Sequence, residues 1–348
     1  MDENKRQEII FHLGQWMQII RARDQGKTLL IEGFLFSGVT LREARRRSRR
    51  LVRSIQRKSS DGIDVFIVRP VIKSAKRPSI HLTLFLATIV TTILAGAMME
   101  GVSPFKNFTQ IWKGIPFSVT LMLILGVHEM GHFLTAKKHH VDATLPYFIP
   151  APTLIGTFGA FIKMRSPVRN RLALVEIGAS GPFAGFIVAL PALFIGLSLS
   201  TVTNIANAGG IQLGDSLLMK IATAILYPGL TEVQDIMLHP VAFAAWIGML
   251  VTMLNLLPIG QLDGGHIAFA LLGDWYPKVA YGSLVAILIL GIFSANWIVW
   301  AALVFFLIRV KHPPIIDDHT PLSRREITIG IIALAIFILT FIPMPFRT

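Results

Sequence analysis

Seven stretches of the chain are apolar enough to be tested against the ~20 residues that a helix needs to span hydrocarbon. They run over residues 81–99, 116–136, 172–199, 239–257, 279–294, 296–309 and 326–342. The residues from Ser294 to Trp297 split what would otherwise be one long apolar run into a hairpin of two helices. Ahead of these stretches the period changes. Residues 28–36 (TLLIEGFLF) alternate as a strand does, and 63–70 (IDVFIVRP) do the same. Residues 40–58 (TLREARRRSRRLVRSIQRK) predict a helix, with Thr40 and Glu43 spaced as a capping box and Leu41, Ala44, Leu51, Val52 and Ile55 on one apolar stripe. Residues 141–164 are apolar too, but Pro146, Pro150 and Pro152 are hostile to a spanning helix. A re-entrant β-hairpin lining a polar cavity suits them better, because irregular backbone at membrane depth is tolerated where it lines a cavity. The fold class expected is an α-helical polytopic membrane protein of about six to seven transmembrane helices, with a re-entrant β-hairpin and a small N-terminal αβ domain.

Composition agrees with the pattern. Of 348 residues, 53% are hydrophobic and 15% charged, and the mean hydropathy is +0.61. A soluble surface needs more charge than that. There is no cysteine, so any metal site must be built from histidine and carboxylate. The polar, basic beginning lacks the pattern of a cleavable signal peptide or a transit peptide. The net charge of +13 is concentrated there, with 18 Lys and Arg against 8 Asp and Glu in residues 1–80 and 15 against 12 in the rest. A basic helix beside a membrane suits anionic lipid or a solvated face, and no recognised nucleic-acid motif accompanies it, so membrane lipids are expected as partners and nucleic acid is not. Short loops rich in Lys and Arg alternate with loops that carry few, which puts the N-terminus in the cytoplasm. The basic set comprises Arg69, Lys73, Lys76 and Arg77; Lys137 and Lys138; Arg165, Arg169 and Arg171; Arg309 and Lys311; and Arg324 and Arg325.

Inside the second apolar stretch, LILGVHEMGHFLTA (123–136) carries His128, Glu129 and His132. Ionisable groups are costly in hydrocarbon and need a reason to be there. Histidines four apart lie one turn above each other, so both can offer a ring nitrogen to one tetrahedral ion, and Glu129 beside them reaches a water on that ion. This is the HExxH arrangement of zinc hydrolases, with the glutamate as proton shuttle. The bland alternative is a polar patch satisfied between helices. A catalytic zinc usually has three protein ligands, and Asp263 in NLLPIGQLDGGH (255–266) is the strongest third candidate, although an Asp-Gly pair also suits a simple turn. Pro258 is expected to interrupt the preceding helix. Asn255 in the same segment is a candidate for holding substrate backbone or a developing oxyanion, with interhelical hydrogen bonding as the other reading.

His128-Glu129-x-x-His132 together with Asn255-x-x-Pro258 and Leu262-Asp263-Gly264-Gly265 resembles the site-2 protease family of intramembrane zinc metalloproteases. The resemblance covers roughly residues 81–273, and GTFGAFIKM (156–164) and GASGPFAGF (178–186) are similar to family segments as well. It implies His128, His132 and Asp263 as ligands of one Zn²⁺ per chain, Glu129 as the catalytic acid/base, and transmembrane proteins as substrates. Many bacterial members insert a PDZ domain, for which there is no room here, and the N-terminal domain more resembles that of plastid and cyanobacterial members. The division implied is a basic cytoplasmic αβ domain over 1–78, a metalloprotease core over 79–273 and C-terminal transmembrane helices over 274–348, in a multi-pass protein of a prokaryotic cell membrane.

A peptide bond in a helical substrate is shielded, so such an enzyme must hold the chain extended. An exposed strand edge does this by adding the substrate as a further strand, which makes Gly156, Thr157, Phe158 and Gly159 the candidate substrate contacts. A structural plug without substrate contact is the alternative. Against proteolysis stand an ion or proton transporter and an inactive membrane scaffold. A protease of the prenyl-protein type would need a glutamate as third ligand, for which the C-terminal half offers Glu326.

Overall fold

The computed structural model describes residues 3–25, 28–48, 51–60, 63–70, 78–104, 106–204, 212–231, 233–305, 310, 312, 315, 317 and 320–347. Lys73, Lys76, Arg77, Arg309 and Lys311, expected in cytoplasmic loops, lie outside these residues. Two compact units are present: one comprises Met1–Arg77, His140–Asp142 and Met164–Pro167, the other Pro78–His139, Ala143–Lys163 and Val168–Thr348. Residues 274–348, expected as a separate group, fall in the same unit as residues 168–273.

The smaller unit holds α1 (Glu3–Gly14), β1 (Met17–Gln25), β2 (Thr28–Leu35), α2 (Leu41–Arg47), β3 (Val52–Ser60) and β4 (Ile63–Pro70). The strands form one antiparallel sheet in the order β1-β2-β4-β3. Its core joins Ile9 and Leu13 of α1 to Leu29, Ile31, Phe66 and Val68, the inward positions of two alternating strands. The helix expected over 40–58 stops at Arg47, and its second half is β3. Two causes are visible. Arg45 and Arg49, which a longer helix would set one turn apart, are like charges and disfavour its extension. The spacing of Val52 and Ile55, which suggests a helical stripe, has another origin: the register shifts between Val52 and Ser54, and this bulge turns both side chains into the same core, 2% and 4% exposed. Ser60 pairs with Ile63 across the Asp-Gly of the sequence, a strong hairpin signal. Thr40 does cap α2, its hydroxyl accepting from the Glu43 amide at 3.2 Å.

The larger unit is mostly helical. It contains α3 (Pro78–Met99), a 3₁₀ turn (Phe108–Gly114), α4 (Ile115–Lys138), β5 (Tyr147–Pro150), β6 (Thr157–Phe161), α5 (Arg171–Ser198), β7 (Thr201–Asn204), β8 (Gln212–Leu213), α6 (Leu217–Leu226), β9 (Gln234–Met237), α7 (Pro240–Asn255), α8 (Asp263–Leu272), α9 (Tyr276–Leu290), α10 (Ala295–Leu303), α11 (Arg324–Thr340) and β10 (Phe346–Arg347). Among the described residues, three helical segments, Ser79–Met99, Phe108–Lys138 and Arg171–Ser198, are long and apolar enough to cross a membrane. The other expected spans are shorter: α7 has 16 residues, α9 15 and α11 17, about 22–26 Å at 1.5 Å per residue. The end of the 296–309 stretch lies outside the described residues.

Helices α4, α5 and α7 pack around one apolar core that includes Phe117, Leu121, Ile124, Leu193, Trp246 and Met249. Water does not drive helices together in lipid, so close backbone approach must do so. Small residues supply it here. A Cβ on Gly131 of α4 would come within 2.5 Å of the Ser180 carbonyl of α5, and one on Gly248 of α7 within 2.8 Å of Ile124. The segment 141–164 forms the antiparallel hairpin β5-β6, pairing Tyr147 with Phe161 and Phe148 with Ala160.

Candidate metal centre

Helix α4 places His128 and His132 one turn apart on a buried face, 3% and 6% exposed, with their Nε2 atoms 3.2 Å from each other. Asp263 stands in the first turn of α8, where the helix dipole favours a carboxylate. Its Oδ2 lies 3.3 Å from Nε2 of His128 and 3.2 Å from Nε2 of His132. The three atoms therefore form a nearly equilateral triangle. Ligands about 2.0–2.1 Å from a tetrahedral zinc are separated by about 3.3–3.4 Å, so the observed edges fit that ion. The tautomer fits as well. Nδ1 of His132 is 2.7 Å from the Ile177 carbonyl, which only accepts, so Nδ1 carries the hydrogen and Nε2 turns a lone pair to the triangle. Lone pairs facing one another this closely require a cation or proton between them.

The path of the chain explains how distant residues meet. Helix α7 ends at Asn255, three residues before Pro258, and the chain turns back through residues 256–262 into α8. A Cβ at Gly265 would approach the Gly260 and Ile259 carbonyls to 2.5 and 2.7 Å, and one at Gly264 would overlap the Leu256 carbonyl. Asp263 is followed by glycines because that turn lies directly under the first turn of its helix. The reversal also brings Nδ2 of Asn255 to 3.4 Å from Nε2 of His128, so Asn255 reaches the cluster without a helix that continues past Pro258. Arg171 of α5 anchors the far end of α8, its Nε donating to the Ala270 carbonyl at 2.6 Å.

One contribution has no counterpart in the expected site. Gly178, Gly181 and Gly185 share a face of α5, and the cluster rests on them. A Cβ at Gly181 would overlap the His132 ring; at Gly185 it would come within 3.1 Å of the His128 ring; at Gly178 it would come within 3.0 Å of the Asp263 carbonyl. The signal was present in the sequence, since each interior helical glycine costs roughly 1 kcal/mol relative to alanine and three on one face need a reason. The Ile177 carbonyl carries no sequence signal, because every residue has one.

Glu129 is 6% exposed and stays out of the triangle. In β6, Thr157 donates to the Ile149 carbonyl at 2.8 Å and accepts from the Gly159 amide at 3.0 Å. Phe158 is 71% exposed. Among the described residues β6 pairs with β5 alone, so its other edge has no strand partner. Gly159 has a φ of +97° and nothing within 4 Å of a Cβ. Gly156 departs from the expectation. Its space is taken by α3, since a Cβ there would come within 2.5 Å of the Thr91 carbonyl, and the Thr91 hydroxyl donates to the Gly156 carbonyl at 2.6 Å. Its backbone meets the protein rather than an open edge. Glu326, the alternative third ligand, is engaged elsewhere: its Oε2 accepts from the Ser323 amide at 2.8 Å and hydroxyl at 2.6 Å, completing the capping box of α11.

The model of peptidase family M50 matches residues 116–295, a segment that contains α4, the hairpin, the glycine face of α5 and Asp263. The chain belongs to peptidase family M50. Among similar proteins, "Probable zinc metalloprotease EGY2, chloroplastic" of Arabidopsis thaliana is 33% identical over 251 residues, covering 70% of this chain and 44% of that protein. "Probable zinc metalloprotease EGY1, chloroplastic" of the same plant is 33% identical over 255 residues, covering 71% and 45%. "Probable zinc metalloprotease EGY3, chloroplastic" of Oryza sativa subsp. indica is 27% identical over 278 residues, covering 74% and 47%. This M50 chain thus spans about half the length of the curated relatives it matches. No solved structure gives a significant match.

Proposed function

We propose that this chain is an intramembrane zinc metalloprotease that hydrolyses peptide bonds in or near transmembrane segments of other proteins. The observation that carries the reading is the His128, His132 and Asp263 triangle set beside Glu129 on an apolar helix long enough to cross a membrane. His128, His132 and Asp263 would hold one zinc ion, and Glu129 and Asn255 would act on the substrate. Bound there, zinc would supply Lewis acidity to a water molecule and to the scissile carbonyl. Glu129 takes the proton from that water and returns it to the leaving amine, so that one peptide and one water give a carboxylic acid and an amine. Asn255, beside His128, donates its amide N–H to the substrate carbonyl as negative charge develops on its oxygen. The names of the relatives and the family agree with a metalloprotease, and none of them speaks for a transporter or scaffold.

The membrane reading is completed by α7, α9, α10 and α11 as shorter spans, for six to seven in all, and by β5-β6 as a re-entrant hairpin. The division into a basic domain at 1–78, a core at 79–273 and C-terminal helices at 274–348, with the N-terminus in the cytoplasm, belongs to the same proposal. It rests on the loop charges. A prokaryotic membrane was expected, but the relatives are named chloroplastic and give that placement no support.

The test uses the purified chain in liposomes with a transmembrane substrate. Cleavage is expected, is abolished by a zinc chelator and returns with added zinc. Zinc-loaded protein that moves ions across the liposome and cuts nothing would overturn the reading in favour of transport.

The unpaired edge of β6 is proposed to hold the substrate extended, with Thr157, Phe158 and Gly159 at the contact and Gly156 fixing the turn against α3. Gly159→Val forces a β-branched residue into a positive φ, where it is strained. Cleavage is expected to fall at least about tenfold, for a helical substrate and equally for one loosened by an added Asn-Pro pair, since both need the edge. Wild-type rates on both substrates would make the hairpin a plug.

A further inference from the structure

Beyond the metal cluster, the same helices meet in a second set of charges. Glu176 of α5 is 7% exposed. Its Oε2 accepts from Nζ of Lys138 at 2.8 Å and is 2.7 Å from Nε2 of His139, both at the C-terminal end of α4. Its Oε1 lies 3.2 Å from a guanidinium nitrogen of Arg325, in the first turn of α11. A carboxylate withdrawn from water is strongly destabilising unless it is well paired, and here donors from two other helices converge on one. Two of the partners are wet, the side chains of Lys138 and Arg325 being 60% and 66% exposed. The carboxylate and the His139 ring, 17% exposed, have been taken inside.

Its place in the chain gives the reason. The residue after Glu176 is Ile177, whose carbonyl receives the His132 Nδ1–H. Helices α4 and α5 cross near this point on small residues, Gly131 against Ser180, a contact that allows close approach but has no directional bond to stop one helix sliding along the other. A displacement of about half an ångström directed along the 2.7 Å His132 bond would take it to the limit of a good N–H···O bond, and sliding also tilts the bond away from the linear approach it prefers. Buried polar and ionic groups set registry in some packed helices, where apolar contact alone leaves it free.

We propose that Glu176 is a positioning residue for the metal centre: by clamping Lys138 and His139 it holds α4 in register with α5, so that the Ile177 carbonyl keeps His132 aimed at the ion. The inference rests on the zinc reading above. The bond protected, from His132 to the Ile177 carbonyl, is of the kind whose loss costs about 10- to 100-fold in metal affinity.

The experiment measures the half-time of zinc release to a chelator, and the melting temperature of the metal-free protein, for wild type, Glu176→Gln, Glu176→Asp and Lys138→Met. Glu176→Gln is expected to release zinc at least tenfold faster, Glu176→Asp to recover part of the retention, and Lys138→Met to show a several-fold effect. Lys138→Met changes a mostly exposed side chain, so it remains informative if the Glu176 variants do not fold. A merely structural role would lower metal-free melting while leaving the release rate of folded protein unchanged. Wild type that holds zinc while Glu176→Gln and Lys138→Met release it at the wild-type rate overturns the clamp alone. Wild type that binds no zinc overturns the metal reading and the clamp with it.

Discussion

Gly181→Ala is expected to strip the protein of its metal while leaving α5 intact. Alanine is favoured over glycine inside a helix by about 1 kcal/mol, so the helix itself gains from the change. The Cβ, however, would overlap the His132 ring at Nε2, Cδ2 and Cε1, and nothing flexible can give way there, since the other side of the ring is bonded to the Ile177 carbonyl. The ring must leave its seat. Metal content is expected to drop from about one zinc per chain to a tenth or less. Turnover should fall by about 100-fold or more, and metal-free melting should stay level or rise. Gly185→Ala, whose Cβ meets the His128 ring only at 3.1 Å, should have a milder effect. Metal analysis and thermal unfolding in detergent decide it: wild-type zinc in Gly181→Ala would mean that the ring does not sit on that glycine in the working protein.

The second large effect separates binding from chemistry. His128→Ala, His132→Ala and Asp263→Ala each remove one corner of the triangle and should lower zinc content and activity together. Glu129 lies outside the triangle, so Glu129→Gln should keep about one zinc per chain and lose about 10²–10⁴-fold in turnover, the range of general acid–base catalysis. Asn255→Ala belongs with it, at reduced turnover and near-wild-type melting, because the amide touches His128 at 3.4 Å but completes no corner. Stoichiometric zinc in Asp263→Ala would remove Asp263 from the ligand set. Loss of zinc in Glu129→Gln would place that carboxylate on the metal rather than beside it.

What could be read without the structure divides by range along the chain. The strands over 28–36 and 63–70 were legible because period-two alternation is a local property. The helix expected over 40–58 was not a local matter. Its second half became β3 because β4 was available to pair with it, and a bulge disguised an inward-facing strand as a helical stripe. The helices of the larger unit were legible as apolar runs, but their lengths were not. Helix α7 stops at Asn255 because the chain must turn back to deliver Asp263, and no hydropathy window registers that demand.

The site divides in the same way. That His128 and His132 share a face follows from four-residue spacing on any helix, and that an ion wants a third ligand follows from its coordination number; both were contained in the sequence alone. So were the Asp-Gly-Gly turn and the prolines that excluded a helix over 141–164. Only the tertiary structure decided that Asp263 closes a triangle with edges of 3.2–3.3 Å, that Asn255 arrives at His128, that Gly156 is used against α3, and that Glu326 is absorbed in a helix cap. It alone decided that α5 is the floor of the centre, with three glycines beneath the ligands and one backbone carbonyl setting a tautomer. The physical reason is that residue type and spacing act within a helical turn, whereas a coordination site is defined to a few tenths of an ångström by how separate helices cross, and that crossing depends on every small side chain between them.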